Sequence, residues 1–515
     1  MSELHFPWLV VAVVVPLVGS VAVGRLRDSD LGRNWCLVFC GATFVCALGA
    51  WLDFTLLHVV EADERKLLSG LLGADLFVVD QLSAPLLPLT ALLYALTTLA
   101  TVRTKIRRFS FAWTLASEAI ALAAFCCKDR WGLVALLVIG VVPPYIELRD
   151  RGKPTRVYVV YMVAFVGLLV LGQALVDRQA GQPSLWAVAP LLAAVMLRCG
   201  IVPFHGWMTD MFEHASFGTA LLRVTPMVGA YAAVRLLLPI APDSALHVLG
   251  GISLVTAVYA SGMALVQREA RRFFCFLFLS HSALVLVGLG TAVTPPEKRE
   301  NLAGALTGTA DHAGTEPSSV REVSAIGLTG ALCVWLSVCL ALTGLGLTLR
   351  ALEARRGRLL MTEFQGLYEH TPNLAMCFAL TGLASVGFPG TFGFVGTEIL
   401  IDGAFESFPY DIGVAVVLAA ALNGIAIVQA YFRLFAGTRY ASSVSLLIRV
   451  RERYAVLALA AMILLGGLNP QQGVASRHAA AEELLRERAA LAAGGELRAR
   501  RSTSQADARR SSAVE

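Results

Sequence analysis

The fold class this sequence predicts is all-α: a polytopic membrane protein with about 14 transmembrane helices. Three observations carry that reading. Of the 515 residues, 57% are hydrophobic and 15% are charged, whereas soluble domains carry roughly 25% charged residues. Apolar runs of bilayer-spanning length recur from Pro7 almost to Gly467. Basic residues gather in the short connections between those runs, as membrane topology requires. A multi-pass protein of the cell (inner) membrane is expected.

The first run, 7–24, lacks a basic n-region and a clear cleavage site, so it reads as a spanning helix rather than a signal peptide. Runs at 35–57, 83–102 and 109–127 follow. The last of these carries Glu118 well inside FAWTLASEAIALAAFCC, where a lone carboxylate is expensive unless paired or wet. Run 131–147 is short and holds Pro143-Pro144, so distortion is expected there. After 157–176 comes 184–207, interrupted at Gly200 and Pro203 and followed by His205. Runs 216–239, 246–266, 274–293 and 323–347 are plain by comparison.

The run 373–402 is the second broken one. Its middle reads Gly387-Phe388-Pro389-Gly390. Proline removes a backbone donor and glycine has little helix propensity, so the helix should break near the bilayer midplane. Peptide groups freed there must be buried in protein or line a wet path. Glu398 and Asp402 follow, and a broken helix beside an ionisable group is a usual architecture for an ion site. A harmless proline kink is the alternative. Runs 411–435, with Asn423 inside it, and 451–467 complete the count.

Residues 294–322 read as a flexible polar loop, and 475–515 as a charged helix ending in an unstructured Arg/Ser/Ala tail. The expected division is a transmembrane domain over 1–473 and a charged C-terminal segment over 474–515. Loops after odd-numbered runs hold most of the Lys and Arg, which places them in the cytoplasm and the N-terminus outside. The arginine-rich C-terminal tail conflicts with an even number of spans. The two interrupted helices lie about five spans apart, which suggests two inverted five-helix repeats, over about 109–239 and 246–435, each with a broken helix.

Composition also excludes. The ten cysteines lie mostly inside apolar runs, and none forms C-x-x-C, which argues against an iron–sulfur cluster or structural zinc in this chain. There is no P-loop, no G-x-G-x-x-G after a strand and no zinc motif, so no soluble active site or redox centre is expected. The net charge of +5 belongs to the loops and is not a nucleic-acid signal. Neither a metal site nor a cofactor is expected in this chain; lipids and protons are its expected small partners.

At its polar residues the chain resembles a known family. Arg198…Val202-Pro203-Phe204-His205-Gly206-Trp207…Asp210 is similar to the Lys…P-x-H-x-W-x-x-D signature of the antiporter-like subunits of respiratory complex I and of Mrp-type cation/proton antiporters. Glu269-Ala270-Arg271-Arg272…Ser280-His281 resembles their D-x-K-R…S-H/Q segment. Gly387-Phe388-Pro389-Gly390…Gly393-Phe394…Glu398 resembles their G-x-P-G…G-F…E/K segment, and Asp80-Gln81-Leu82-Ser83 their D-G-L-S. The resemblance covers most of 75–440 and implies a 14-helix fold with a buried charged axis for protons.

Several of the family's relay groups are missing. Its glutamate of the fifth span would fall near Val138, where no carboxylate stands. Its lysine of the first broken helix is matched by Arg198, which cannot cycle its charge as lysine can. A lysine found in some members falls near Met227, with Arg223 one turn before it. The His and Lys of the eleventh span are absent from 331–349. The resemblance therefore points to a divergent branch. The wording GLYEHTP…LTGLASVGFPGTFGFVGTEIL, with ALEARRG before it, looks most like the membrane subunit of the Dab-type energy-coupled inorganic carbon pump. That implies a soluble, zinc-containing, carbonic-anhydrase-like partner, with proton entry driving CO2 hydration to bicarbonate.

The candidate ion-pathway residues are Glu118, Arg198, His205, Arg223, Arg271, His281 and Glu398, with the helix breaks at Pro203, Gly387, Pro389 and Gly390. Glu118 is expected to replace the missing fifth-span glutamate in space and to pair with Arg198. Either histidine titrates near neutral pH and suits a proton carrier. Each of these also has a plain reading: an arginine at the lipid interface, a satisfied buried histidine, a loop charge. Three other functions stay open: a subunit of a complex I-like NADH-quinone oxidoreductase or hydrogenase, a stand-alone antiporter, and a scaffold that keeps the fold without transport.

Overall fold

The computed structural model describes residues 2–63, 77–101, 109–179, 183–292, 318–407, 410–437 and 450–511. The chain is overwhelmingly helical. In order the helices are α1 (Trp8–Gly24), α2 (Ser29–Leu57), α3 (Leu86–Leu99), α4 (Phe111–Cys126), α5 (Arg130–Ile139), α6 (Val142–Asp150), α7 (Arg156–Arg178), α8 (Leu185–Cys199), α9 (Gly206–His214) and α10 (Phe217–Val224). They continue as α11 (Val228–Ala232, extended by a π-turn over Ala233–Leu237), α12 (Asp243–Val266), α13 (Ala270–Gly290), α14 (Ser318–Arg356), α15 (Pro372–Ser385), α16 (Phe392–Ser407), α17 (Tyr410–Phe435), α18 (Val450–Leu468) and α19 (Pro470–Ser511). Among the described residues, eight segments are long and apolar enough to cross a membrane, or nine if α18 and α19 count as one bent span. Five further apolar helices have 10–17 residues. This is a multi-pass membrane protein.

The pattern of burial follows from the solvent. α13 is enclosed on every side, and its whole apolar window is buried, as is 83% of that of α14. Around them α12 packs on α13, α14 on α16, α7 on α8, and α1 on both α2 and α4. The outer helices α2, α7 and α17 turn Val38, Val45, Val160, Val163, Val414 and Leu418 outward. An apolar exterior of this kind suits lipid and would be a liability in water.

The structure departs from the sequence reading in four places. A small three-stranded sheet, β1 (Ser2–Glu3), β2 (Glu61–Asp63) and β3 (Val78–Asp80), joins the N-terminus to the segment before α3, with β1 parallel to β2 and β2 antiparallel to β3. The expected run 131–147 is two helices, broken at Gly140-Val141 rather than at Pro143-Pro144. Those prolines occupy the opening positions of α6, where a missing N–H costs no helix bond. The run 216–239 breaks too, at Thr225-Pro226-Met227, a signal carried by Pro226. Finally, α19 runs on to Ser511 where an unstructured tail was expected, because Ala, Glu, Leu, Arg and Gln are strong helix formers. Most of the expected loop 294–322 lies outside the described residues, and 318–322 form the first turn of α14.

α19 leaves α18 at an angle of 84° and crosses the bundle. Arg477, only 1% exposed, donates to the carbonyls of Gln81 and Leu82 ahead of α3. Arg488 donates to the Leu238 carbonyl and to Asp243 Oδ1 (2.7 Å) at the start of α12.

Candidate functional site

The first helix break is built from the end of α8. Gly200 takes the left-handed conformation (φ 72°), which ends the helix, and the Ile201 N–H closes back on the Met196 carbonyl at 2.9 Å. A Cβ at Gly200 would lie 2.8 Å from Met208 Cε. The peptide groups released by the break find partners inside the protein, as burial in a bilayer demands. Val202 N–H donates to Thr256 Oγ1 (3.2 Å) on α12, and Trp207 Nε1 donates to the Leu197 carbonyl (2.9 Å). The Val202–Pro203 peptide is cis.

Arg198, near the end of α8, lines a cavity between α3, α4, α5, α6, α8 and α10, together with Tyr94, Ser117, Glu147, Thr219 and Arg223 among others. Water-sized space within it amounts to about 50 Å³. Arg198 is 5% exposed and lies over the Trp207 ring, 5.8 Å from its centre. Arg223 donates to the Gly140 carbonyl at 2.7 Å. The break between α5 and α6 exposes that carbonyl, so one interrupted helix supplies the acceptor for an arginine on another.

Glu118 is fully buried on α4, and its Oε2 accepts from the Cys40 thiol on α2 at 3.0 Å. Its Oε1 has no partner among the described residues. The expected Glu118–Arg198 ion pair is not formed, because α4 turns this carboxylate towards α2. Tyr94 lines the same cavity as Arg198 and Arg223 and is near enough to Glu118 and Cys40 to feel their charge. Sequence reasoning missed Tyr94. It also missed Glu147, which is 4% exposed, lines the cavity, and accepts from Ser216 N–H (3.1 Å) and Arg151 Nη1 (3.3 Å). Its signal was readable: an apolar run that carries a carboxylate just inside its end.

The buried central helix α13 lies between the two breaks. The His205 ring packs against Phe276 of α13 (5.9 Å between centres) and Tyr259 of α12 (5.8 Å), and its Nδ1 has no partner among the described residues. One turn and a half further along α13, His281 is 2% exposed, with Nδ1 on the Leu277 carbonyl at 2.8 Å and the Ser385 carbonyl close by at the end of α15. Its neighbour Ser280 accepts from Asn423 Nδ2 on α17 (2.8 Å) and donates to the Ala257 carbonyl (2.8 Å). The two histidines therefore approach α13 at different levels, His205 against the Phe276 ring and His281 on the helix itself, with the apolar side chains of Leu277, Phe278 and Leu279 in the stretch between.

The second break places Gly387 and Gly390 at φ 81° and 88° around Pro389, and the Phe388 N–H returns to the Leu383 carbonyl at 3.1 Å. Gly467, at the turn from α18 into α19, approaches it so closely that a Cβ there would lie 2.1 Å from the Gly390 carbonyl. Beyond the break, α16 carries Glu398 and Asp402 on its exposed face, away from the buried polar groups. Glu398 therefore stands apart from the other pathway candidates. A residue four positions along a helix returns to the same face, and the apolar positions Leu400 and Ala404 claim the inward side.

Arg271 also has a different setting from the one expected. It grips Glu353 at the end of α14 with two parallel bonds of 2.6 Å, and donates to the Phe212 and Ala215 carbonyls at 2.9 and 3.1 Å. All three of its nitrogens are engaged in a clamp joining α9, α13 and α14. Beside it, Arg272 pairs with Glu213 at 2.7 Å, and this hydrogen bond holds the Glu213 carboxyl below its usual range.

A helix bundle with interrupted membrane helices and buried charge narrows the field, and comparison with known proteins decides it. The family model described as "NADH:quinone oxidoreductase/Mrp antiporter, TM" matches residues 159–315 and 320–423, just over half of the chain. The chain belongs to this family. Among family relatives it is 26% identical over 482 residues to NAD(P)H-quinone oxidoreductase chain 4 1 of Synechococcus elongatus, covering 85% of this chain and 83% of that one. It is 23% identical over 519 residues to NADH-quinone oxidoreductase subunit M of Pseudomonas aeruginosa, covering 90% and 94%. Its fold matches a chain of the Mrp complex from Dietzia sp. (TM-score 0.76, 18% identity, 93% of this chain and 97% of that one). It matches equally a chain of respiratory complex I from Thermus thermophilus (TM-score 0.75, 19% identity, 93% and 99%). The likeness in fold spans nearly the whole chain, and Arg198, His205, Arg223 and His281 all lie within the segments that the family model matches.

Proposed function

We propose that this chain is the ion-conducting membrane subunit, for protons in the first place, of an energy-coupled inorganic carbon uptake complex. The carrying observation is the set of polar groups enclosed near the interrupted helices: Glu118 bonded to Cys40, Tyr94, Arg198 and Arg223 lining one cavity, and His281 buried on α13. Buried titratable groups beside broken membrane helices support ion passage. The carbon role rests on the sequence resemblance of GLYEHTP…LTGLASVGFPGTFGFVGTEIL within 366–400, and of the preceding ALEARRG, to the Dab-type membrane subunit. In that reading the chain has 14 spans, two inverted five-helix repeats, and a soluble zinc-containing carbonic-anhydrase-like partner docked on it. Proton flow through the membrane subunit drives hydration of CO2 in the partner.

The second reading is a proton-translocating subunit of a complex I-like oxidoreductase or hydrogenase, or a stand-alone antiporter. The full-length relatives named for quinone oxidoreductases, and the fold match to an Mrp complex, favour it. Gentle detergent extraction, affinity purification and mass spectrometry separate the two. A stoichiometric zinc protein that restores growth at ambient CO2 together with this chain is the expected result. Co-purifying oxidoreductase subunits move the assignment to the second reading.

A further inference from the structure

Two arginines, Arg198 buried and Arg223 half-buried, line the cavity with enclosed N–H groups that lack the partners such groups require. Arg198 makes no hydrogen bond to any described residue, and its Nε is completely enclosed. Arg223 spends Nη1 on the Gly140 carbonyl and lies beside the Tyr158 hydroxyl, which donates to the Val141 carbonyl, while its enclosed Nε and Nη2 make no hydrogen bond of normal geometry among the described residues. A buried polar group without a hydrogen bond is rare and costly, and a charged one more so. The two guanidiniums also repel each other, and arginine does not escape that cost by losing its proton.

No described carboxylate compensates them. No ion pair within 4.0 Å forms at either arginine among the described residues, and Glu118 is turned towards Cys40. Glu147 does line the cavity, but it accepts from Arg151 and from the Ser216 N–H, so its charge is already offset from the far side. Hydroxyl groups add to the lining, whose remainder is apolar, with Ile120, Leu136, Leu137 and Leu222 among it. Tyr94 and Ser117 face the cavity, and Thr219 Oγ1 accepts from Ser216 Oγ (2.8 Å), which leaves its own proton to give. The space is large enough for one small ion or a few waters and too small for a nucleotide or a lipid headgroup.

We infer that Arg198 and Arg223 form a binding site for one small monovalent inorganic anion, of halide or bicarbonate size, within the membrane bundle. The anion accepts from the free guanidinium N–H groups and separates the two positive charges. A planar oxyanion gains a further match from the fork of each guanidinium, which a spherical halide does not use. The site does not depend on the carbon reading, because an antiporter or an oxidoreductase subunit with these two arginines would carry it equally.

The test is thermal unfolding of the purified full-length chain in lipid nanodiscs, at fixed pH and ionic strength, with sodium gluconate replaced stepwise by sodium bromide or sodium bicarbonate. A ligand that binds only the folded state raises the melting temperature with saturation. The expected result is a saturable rise with one or both anions, with the half-saturating concentration about tenfold or more higher in Arg198→Gln and Arg223→Gln. Arg198→Lys keeps the charge and loses the fork, so it should keep the bromide response and weaken that to bicarbonate. Wild-type melting that is the same in all three salts overturns the proposal, as does an anion response that survives in both glutamine variants. Should those variants fail to fold, anomalous scattering from wild-type crystals soaked in bromide decides it: a peak between the two guanidiniums supports the site, and its absence there rejects it.

Discussion

The two broken helices solve one problem in opposite ways. At the first break the released backbone is bonded to α12 and to Trp207, and Arg198 near the end of α8 lines a cavity that holds a second arginine, a tyrosine and a carboxylate among apolar walls. At the second break the chain turns through Gly387, Pro389 and Gly390 and is covered by backbone from the α18–α19 corner, while its carboxylates point outward. A sequence pattern of glycine, proline and a nearby acid therefore marks a break without saying whether the break is wet. What distinguishes the two is which neighbours converge on the gap, and that is a property of the packed bundle.

The largest effect that would sharpen this contrast is on ion flux. Glu118→Gln in proteoliposomes with the partner should reduce proton flux by about tenfold or more, the range that loss of one positioned proton carrier costs. Glu398→Gln should leave it within about twofold, as expected of an exposed side chain. Equal losses would merge the two regions into one conducting axis. Next comes the clamp that holds the first break against α13 and α14. Arg271→Ala strips Glu353 of a two-bond partner and should destabilise the chain by about 3–5 kcal/mol, read from thermal unfolding. If it unfolds like the wild type, the clamp is dispensable and Arg271 is free for a transport role.

A smaller difference is expected between the glycines. Both Gly200 and Gly390 occupy the left-handed region, so alanine at either should cost about 1–2 kcal/mol. At Gly200 the new methyl also meets Met208 Cε at 2.8 Å, whereas nothing lies within 4 Å at Gly390. Gly200→Ala should therefore melt at the lower temperature of the two.

The smallest effect concerns the crossing helix α19, outside the spanning segments. Burial, and then the neighbouring Asp80 and Glu61, push the Glu483 carboxyl up to about 7 from 4.5, against the opposing pull of Arg235. Its folded state holds the proton more tightly than the unfolded state. The stability it contributes is therefore complete below about pH 4.5 and is lost as pH rises through about 7. Glu483→Gln should flatten that decline between about pH 5 and 8 in melting experiments. An unchanged slope would exclude this residue as its source.

Much of the fold was legible because lipid imposes a coarse code: apolar length, basic loops and prolines located the helices and both predicted breaks. Pro226 and Gly140 were equally visible: the break at Pro226 was overlooked because its run stayed apolar, and the distortion expected in 131–147 was assigned to Pro143-Pro144 rather than to Gly140. Site residues were less legible. Arg198, Arg223 and His281 stand where a buried polar role is open to them, yet Glu118 turned to Cys40 and Glu398 turned outward. Helix periodicity fixes which residues share a face; it does not fix which way the face points. Tyr94 and Glu147 carried no motif, and only the packing of α3 and α6 against α8 and α10 brings them to the cavity.

The fastening of α19 has a consequence for biosynthesis. Arg477 is the residue that closes onto the Gln81 and Leu82 carbonyls, 395 positions earlier in the chain as counted to Leu82. At roughly 5–20 residues per second of translation, that gap represents about 20–80 s. Throughout that interval the early helices are already in the membrane while their final fastener is still unmade. A ribosome that stalls before residue 477 would release a bundle with its seam open, which gives membrane quality control a clear mark by which to tell an unfinished chain from a finished one.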